Sequence, residues 1–212
     1  MRTCVIFDID GTLVDSSSFE SRLYALAVCE ALGLPAIDTD WSRYEHVTDT
    51  GVVIELCRRH GAAVVERAPR ARARFGELVA AHFASGGRCP AIPGAMELFA
   101  RLAASGECAL GIATGGWGHT AQMKLRHAGF DWDGICFASA DDHHTRVGIM
   151  QHCRARLPAT AHTIYVGDGQ WDRVASARLE WEFIGIGERL RGRCSTWAPD
   201  LSSPVLAAAI GL

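Results

Sequence analysis

Short, unbroken apolar runs alternate along this chain with longer stretches in which apolar residues recur at helical spacing. The runs are Cys4-Val5-Ile6-Phe7, Ala109 to Ala113, Ile135 to Ala138, Ile164-Tyr165-Val166 and Phe183 to Ile186. Runs of this length without alternation suit strands buried on both faces, as in a parallel sheet. Between the later runs lie helix-like segments that stop at glycine: Ala95 to Ser105 before Gly106, and His119 to Ala128 before Gly129. This rhythm of strand and helix predicts an α/β fold with right-handed crossovers.

One interval departs from the rhythm. From about Ser16 to Pro90 there is helical periodicity without a convincing strand. Ser16-Ser17-Ser18 offers an N-cap to a first helix, which Gly33-Leu34-Pro35 ends. Val52 to His60, closed by Gly61, predicts a second helix, and Arg70 to Ala84, closed by Gly86-Gly87, a third. A block of helices between the first and second strands reads as an inserted cap. The expected division is a core made of 1–15 and 91–212, with a helical cap over 16–90.

Composition narrows the class. The chain has 212 residues, 49% of them apolar and 21% charged, with a formal net charge of −3. That is ordinary globular composition, long enough to bury a full core. The charge balance leaves no electrostatic footprint for nucleic acid or an anionic membrane surface. No stretch approaches the ~20 apolar residues of a membrane helix, and the opening Met1-Arg2-Thr3-Cys4-Val5-Ile6-Phe7-Asp8 is too short an apolar segment for a signal peptide. The 8 cysteines are scattered, with no C-x-x-C pair, so the expectation is a reduced cytoplasmic protein. Lys124 is the only lysine among 21 basic residues. The arginines from Arg67 to Arg74 fall around a helix rather than on one face, which favours a solvated surface over a phosphate-binding one.

The candidate chemistry begins where the first run ends, at Phe7-Asp8-Ile9-Asp10-Gly11-Thr12-Leu13-Val14-Asp15. Residues i and i+2 of an extended chain point the same way, so Asp8 and Asp10 can converge at the carboxyl end of a strand. Two neighbouring carboxylates repel unless a cation or a proton joins them. By themselves these residues are equally compatible with a hairpin turn at Asp10-Gly11. Three further sites shift the balance. Ile112-Ala113-Thr114-Gly115-Gly116 ends a strand in a hydroxyl and glycines before a helix, a natural seat for phosphate. Val166-Gly167-Asp168-Gly169 sets a carboxylate at another strand tip, and Asp172 follows where a helix begins and where a capping role would also explain it. Arg146 follows the third sheet run across Asp141-Asp142-His143-His144-Thr145.

These pieces, in this order, resemble the haloacid dehalogenase-like hydrolase superfamily over essentially the whole chain. Asp-x-Asp-Gly-Thr-Leu-Val-Asp-Ser at 8–16 is its most specific element, and Gly-Asp-x-x-x-Asp at 167–172 the next. The resemblance implies a Rossmann-like parallel sheet flanked by helices with an all-helical cap. It implies a Mg2+-dependent phosphatase of a small phosphate ester. Asp8 would be the nucleophile that forms an aspartyl-phosphate, and Asp10 the acid–base residue. Mg2+ would sit on Asp8, Asp168 and the Asp10 backbone carbonyl, supported by Asp172. Thr114 and the Gly115 amide would hold the phosphoryl group. Where the family usually has lysine, this chain has Arg146, whose planar fork has a different geometry; Lys124 is the lesser candidate for that role.

The second acid, Asp10, argues for phosphoryl transfer over dehalogenation, and the absence of lysine between Ser16 and Pro90 excludes an imine-forming phosphonoacetaldehyde-type hydrolase. Three alternatives stand beside the phosphatase: a phosphomutase of the phosphoglucomutase-like type, a receiver-like phospho-accepting module and a non-catalytic binding protein. Within the cap, Arg43 and His46 are candidates for contacting the far end of the substrate, each balanced by a plain surface role. Trp117 and Trp171 either line the site or belong to the core. His143 and His144 read as a polar loop rather than a metal site. A monomer and a homodimer are equally compatible with the sequence.

Overall fold

The computed structural model describes residues 3–106 and 108–211. Met1 and Arg2, part of the opening segment read above, lie outside the described residues. Six parallel strands form one sheet: β1 (Thr3–Phe7), β2 (Cys108–Ala113), β3 (Cys136–Ala138), β4 (His162–Gly167), β5 (Glu182–Ile186) and β6 (Thr196–Ala198). Their spatial order is β3-β2-β1-β4-β5-β6. β1 lies between β2 and β4, with Phe7 opposite both Ile112 and Val166. The first connection from β1 therefore runs one way and the later one the other. The resulting crevice at the carboxyl ends is where open parallel sheets bind ligands.

The apolar runs read from the sequence are these strands, and burial on both faces explains their lack of alternation. Cys4, Val5, Ile6 and Phe7 are all fully buried. Side chains of this size each contribute about 1.5–3 kcal/mol when buried. The short edge strand β6 was not foreseen, because Thr196-Trp197-Ala198 forms no unbroken apolar run. Helices α4 (Ala95–Ser105), α5 (Gly118–Ala128), α6 (Arg146–Ala155), α7 (Gln170–Arg178) and α8 (Pro204–Ile210) accompany the later strands. Gly106 and Gly129 stop α4 and α5 in the left-handed conformation, as their positions suggested.

Between β1 and α4 lie α1 (Glu20–Leu32), α2 (Asp49–His60) and α3 (Val64–Ala84), with a 3-10 turn at Trp41–Arg43. They pack on one another around Tyr24, Phe75 and Val79, all buried. Three helix starts differ from expectation, the second helix beginning at Asp49 rather than Val52. The α3 helix starts at Val64 rather than Arg70 and carries Pro69 as its sixth residue, at the cost of one backbone hydrogen bond. At α1 the serines do not act as the side-chain cap: Phe19 holds that position without one. The Ser16 hydroxyl donates instead to Asp10 at 2.6 Å. The arginines of α3 tie neighbours together, Arg74 to Glu30 at 2.5 Å and Arg72 to Asp141 at 2.8 Å, and lie away from the crevice. Among the described residues no helix is long and apolar enough to cross a membrane, and the cysteines form no disulfide.

Candidate active site

Asp8 follows the last residue of β1, and its amide still donates to Val166 across the sheet at 2.9 Å. That bond fixes the backbone and turns the carboxylate into the crevice. Thr114, one residue beyond β2, lies beside the same carboxylate, where its hydroxyl favours the ionised form. Arg146, the first residue of α6, reaches back with Nη1 3.1 Å from Asp8 Oδ1. Its Nε stands 3.3 Å from Asp172 Oδ1, close enough for an ion pair but without hydrogen-bond alignment. One guanidinium thus spans two buried acids. Burial opposes its charge, but Asp172 and Asp8 override this and hold Arg146 more firmly protonated than usual.

Carboxylate oxygens of Asp8, Asp168 and Asp172 all come within 4.8 Å of one another. Burial, followed by the charge of Asp8, pushes Asp168 up to about 7. Asp8 and Asp172 are also raised, by burial first and by neighbouring carboxylates, against the opposing charge of Arg146. Such a trio is under-neutralised by one arginine. Gly11, with φ of +77°, permits the close approach: a Cβ there would fall 2.2 Å from Asp168 Oδ2. Asp172 takes the capping position and also stands in the acidic trio. Its Oδ2 accepts the Gly169 amide at 3.0 Å at the start of α7, while Oδ1 faces Arg146.

Asp10 belongs to a second cluster. Lys124 of α5 is fully buried and brings Nζ 2.6 Å from Asp10 and 2.8 Å from Glu20 of α1. One ammonium facing two carboxylates leaves an excess negative charge. Burial and the charge of Asp10 accordingly push Glu20 up to about 8 despite Lys124. Burial disfavours the ammonium, but Asp10 and Glu20 outweigh it and the net shift of Lys124 is upward. Arg146 is therefore the cation on Asp8, and Lys124 holds Asp10.

These groups face a cavity of about 500 Å3 lined by Asp8, Asp10, Thr114, Gly115, Arg146 and Asp168 on the sheet side, and by Glu20, Tyr24, Trp41 and Asp49 on the helical side. Asp49, the first residue of α2, accepts the Trp117 amide at 2.8 Å and donates its own amide to the Gly115 carbonyl at 2.8 Å. Burial pushes Asp49 up to about 7 against the Trp117 hydrogen bond and the charge of Lys124. Sequence reasoning nominated Arg43 and His46 for the helical side and missed Asp49. Neither of those lines the cavity. Arg43 is 69% exposed and engaged with Asp38 and Asp40, and His46 stands against Glu45 and the His144 ring. Glu20 and Arg189 were missed as well; Arg189 lies 3.6 Å from Asp168. Trp171 lines the cavity, whereas Trp117 is buried and donates Nε1 to Thr50 at 2.9 Å. His143 and His144 stack on each other apart from the acidic trio.

A family model described as haloacid dehalogenase-like hydrolase matches residues 3–179. Solved structures of similar fold include a hydrolase from Pseudomonas syringae, 21% identical over 94% of each chain with a TM-score of 0.71. CbbY from Rhodobacter sphaeroides in complex with phosphate is 18% identical over 96% of each chain, with a TM-score of 0.70. The haloacid dehalogenase-like family protein SP0104 from Streptococcus pneumoniae is 21% identical over 98% of each chain, with a TM-score of 0.61. A search of curated proteins found no match.

Proposed function

This chain belongs to the haloacid dehalogenase-like hydrolases, and we propose that within that family it is a Mg2+-dependent phosphatase of a small phosphomonoester. The observation that carries the reading is the convergence of Asp8, Asp168 and Asp172 beside Arg146 at the carboxyl edge of the sheet. The all-oxygen donor set, the mutual repulsion of the three carboxylates and the close approach of Asp168 that Gly11 permits suit a hard divalent cation. Asp8, Asp168 and Asp172 would hold Mg2+, and the bound ion would neutralise charge on the phosphoryl oxygens.

In this reading Asp8 Oδ attacks phosphorus, forming an O–P bond as the ester O–P bond breaks. Arg146 holds Asp8 on the attack side, with Thr114 and the Gly115 amide around the phosphoryl oxygens. Asp10 gives its proton to the leaving oxygen, which departs as a neutral alcohol. Asp10 then takes a proton from water as that water attacks the aspartyl-phosphate, and the Asp8 carboxylate is regenerated with release of phosphate. Lys124 fixes the position of Asp10 through both steps. We read residues 16–90 as a lid: Asp49, Thr48 and Thr50 engage the core through Gly115, His144 and Ala140. A lid of this kind restricts the site to small esters.

The related CbbY has also been seen with xylulose-1,5-bisphosphate, which makes sugar phosphates a natural part of a first substrate panel. The test is phosphate release from small phosphomonoesters by the purified protein with Mg2+, with Asp8→Asn as control. Release that depends on Mg2+ and disappears in the variant is expected. Undiminished release by Asp8→Asn would overturn the assignment, and movement of phosphate within a hexose phosphate without release would replace the phosphatase with a mutase.

A further inference from the structure

The helical side of the cavity carries acidic groups and, among the described residues, no basic one. It presents the carboxylates of Glu20, Asp40 and Asp49 beside the rings of Tyr24 and Trp41. Two cationic side chains line the cavity among the described residues, Arg146 and Arg189. Both stand at the sheet end, Arg146 against Asp8 and Asp172 and Arg189 against Asp168. Lys124, behind the wall, is already divided between Asp10 and Glu20. Arg43 answers Asp40 from outside and is shared with Asp38.

Asp49 is the acid left without a cation. Its one hydrogen-bond donor is the Trp117 amide, while Lys124 and Arg146 act on it only at a distance. The Tyr24 hydroxyl donates to the Asp49 carbonyl at 2.7 Å, and the Tyr24 ring meets Trp41 edge-on at 5.6 Å between centroids. A carboxylate that shares a cavity wall with the Tyr24 and Trp41 side chains is an environment that attracts an organic cation. A second phosphate or a carboxylate placed there would meet like charge with no counter-ion.

We propose that the leaving group of the substrate carries a positive charge, so that the preferred substrate is the phosphomonoester of an amino alcohol with its ammonium facing Asp49, Tyr24 and Trp41. The same wall rejects esters bearing a second anion. This inference rests on the phosphatase reading above and adds the substrate class to it. No group outside the cavity is needed, because the sheet end supplies the cations for phosphate and the helical end the anions for the ammonium.

Three esters of similar size separate the outcomes: phosphoethanolamine, ethyl phosphate and phosphoglycolate. The expected kcat/KM is at least tenfold higher for phosphoethanolamine than for ethyl phosphate, and higher again relative to phosphoglycolate. Asp49→Asn keeps an acceptor for the Trp117 amide and removes the charge, so the ratio of the first two should fall toward one. Equal rates for the cationic and neutral esters, or preference for phosphoglycolate, would overturn the proposal while leaving a phosphatase. Failure to release phosphate from any of them, or from p-nitrophenyl phosphate, would instead count against the phosphatase reading. Calorimetric titration of Asp8→Asn with the three esters ranks them without turnover: tightest binding of phosphoethanolamine is expected, and any other order, or no binding of it, refutes the inference.

Discussion

The ammonium of Lys124 lies 2.7 Å from one carboxylate oxygen of Asp10 and 2.6 Å from the other. It also reaches both oxygens of Glu20 at 2.8 Å. A fully buried lysine is tolerated only where its charge is answered, and here two carboxylates from different parts of the chain converge on it. The contact joins α5, beside the sheet, to the start of α1 and to the loop that holds Asp10.

Replacing this ammonium by an apolar group leaves two acids facing each other in a buried site. Lys124→Met is expected to lose about 3–5 kcal/mol, the usual cost of breaking one side of a buried ion pair. Adding Glu20→Gln should recover part of that loss, since the second charge no longer lacks a partner. Urea denaturation of the two variants reads the difference. No recovery in the double variant would show that packing, not charge, dominates the site.

Arg146 has the parallel role on Asp8 and Asp172. Arg146→Ala should destabilise the fold by a similar ~3–5 kcal/mol and abolish turnover. Arg146→Lys keeps the charge, but an ammonium cannot reproduce the fork that spans both acids. Loss of one charge-assisted hydrogen bond, such as that from Nη2 to the Val47 carbonyl at 3.3 Å, costs about 1.5–3 kcal/mol and predicts a roughly 10–100-fold drop in kcat. Kinetics of Arg146→Lys at wild-type rates would show that the two-acid bridge is dispensable.

Asp168 and Asp49, raised from 3.8 to about 7, make stability depend on pH in a definite direction. Between about pH 4 and about pH 7 the folded protein retains protons that the unfolded chain has released. The stabilisation is greatest, relative to unfolded, with these groups protonated, and it declines as pH rises through this window. Each group contributes a slope of up to ~1.4 kcal/mol per pH unit there. Denaturation midpoints in EDTA should fall from pH 5 to pH 8, and saturating Mg2+ should flatten or reverse the trend by binding the ionised carboxylates. A midpoint that climbs with pH in EDTA would contradict the burial-driven shifts.

Gly11 and Gly33 share a left-handed backbone, with φ of +77° and +70°, but differ in surroundings. A Cβ at Gly11 meets Asp168 Oδ2 at 2.2 Å, whereas at Gly33 nothing lies within 4 Å. Gly33→Ala should cost only the backbone strain, about 1 kcal/mol. Gly11→Ala carries the same strain and also displaces Asp168, so Mg2+ affinity by calorimetry should fall in Gly11→Ala and hold in Gly33→Ala. Equal Mg2+ binding by both would mean that Asp168 does not ligate the ion.

The sequence by itself determined the sheet and the acids that stand at its edge. Unbroken runs such as Cys4 to Phe7, alternating with helical segments, suit strands buried on both faces, and the residue following such a strand emerges at its end. Asp8, Thr114 and Asp168 were legible for that reason, because their placement follows from the local backbone and from parallel pairing alone. Tertiary structure decided everything that depends on how far a long side chain reaches. The mid-helix position of Lys124 gives no hint that its Nζ ends between Asp10 and Glu20, more than a hundred residues away in sequence. Arg43 and His46 bear the chemistry expected of substrate contacts, yet Asp38 and Glu45 lie beside them, and it is Asp49 that faces the cavity. Periodicity reports which face of a helix is buried, but not against what. Partner choice among buried charges is set by packing of distant segments, and that information exists only once the chain has folded.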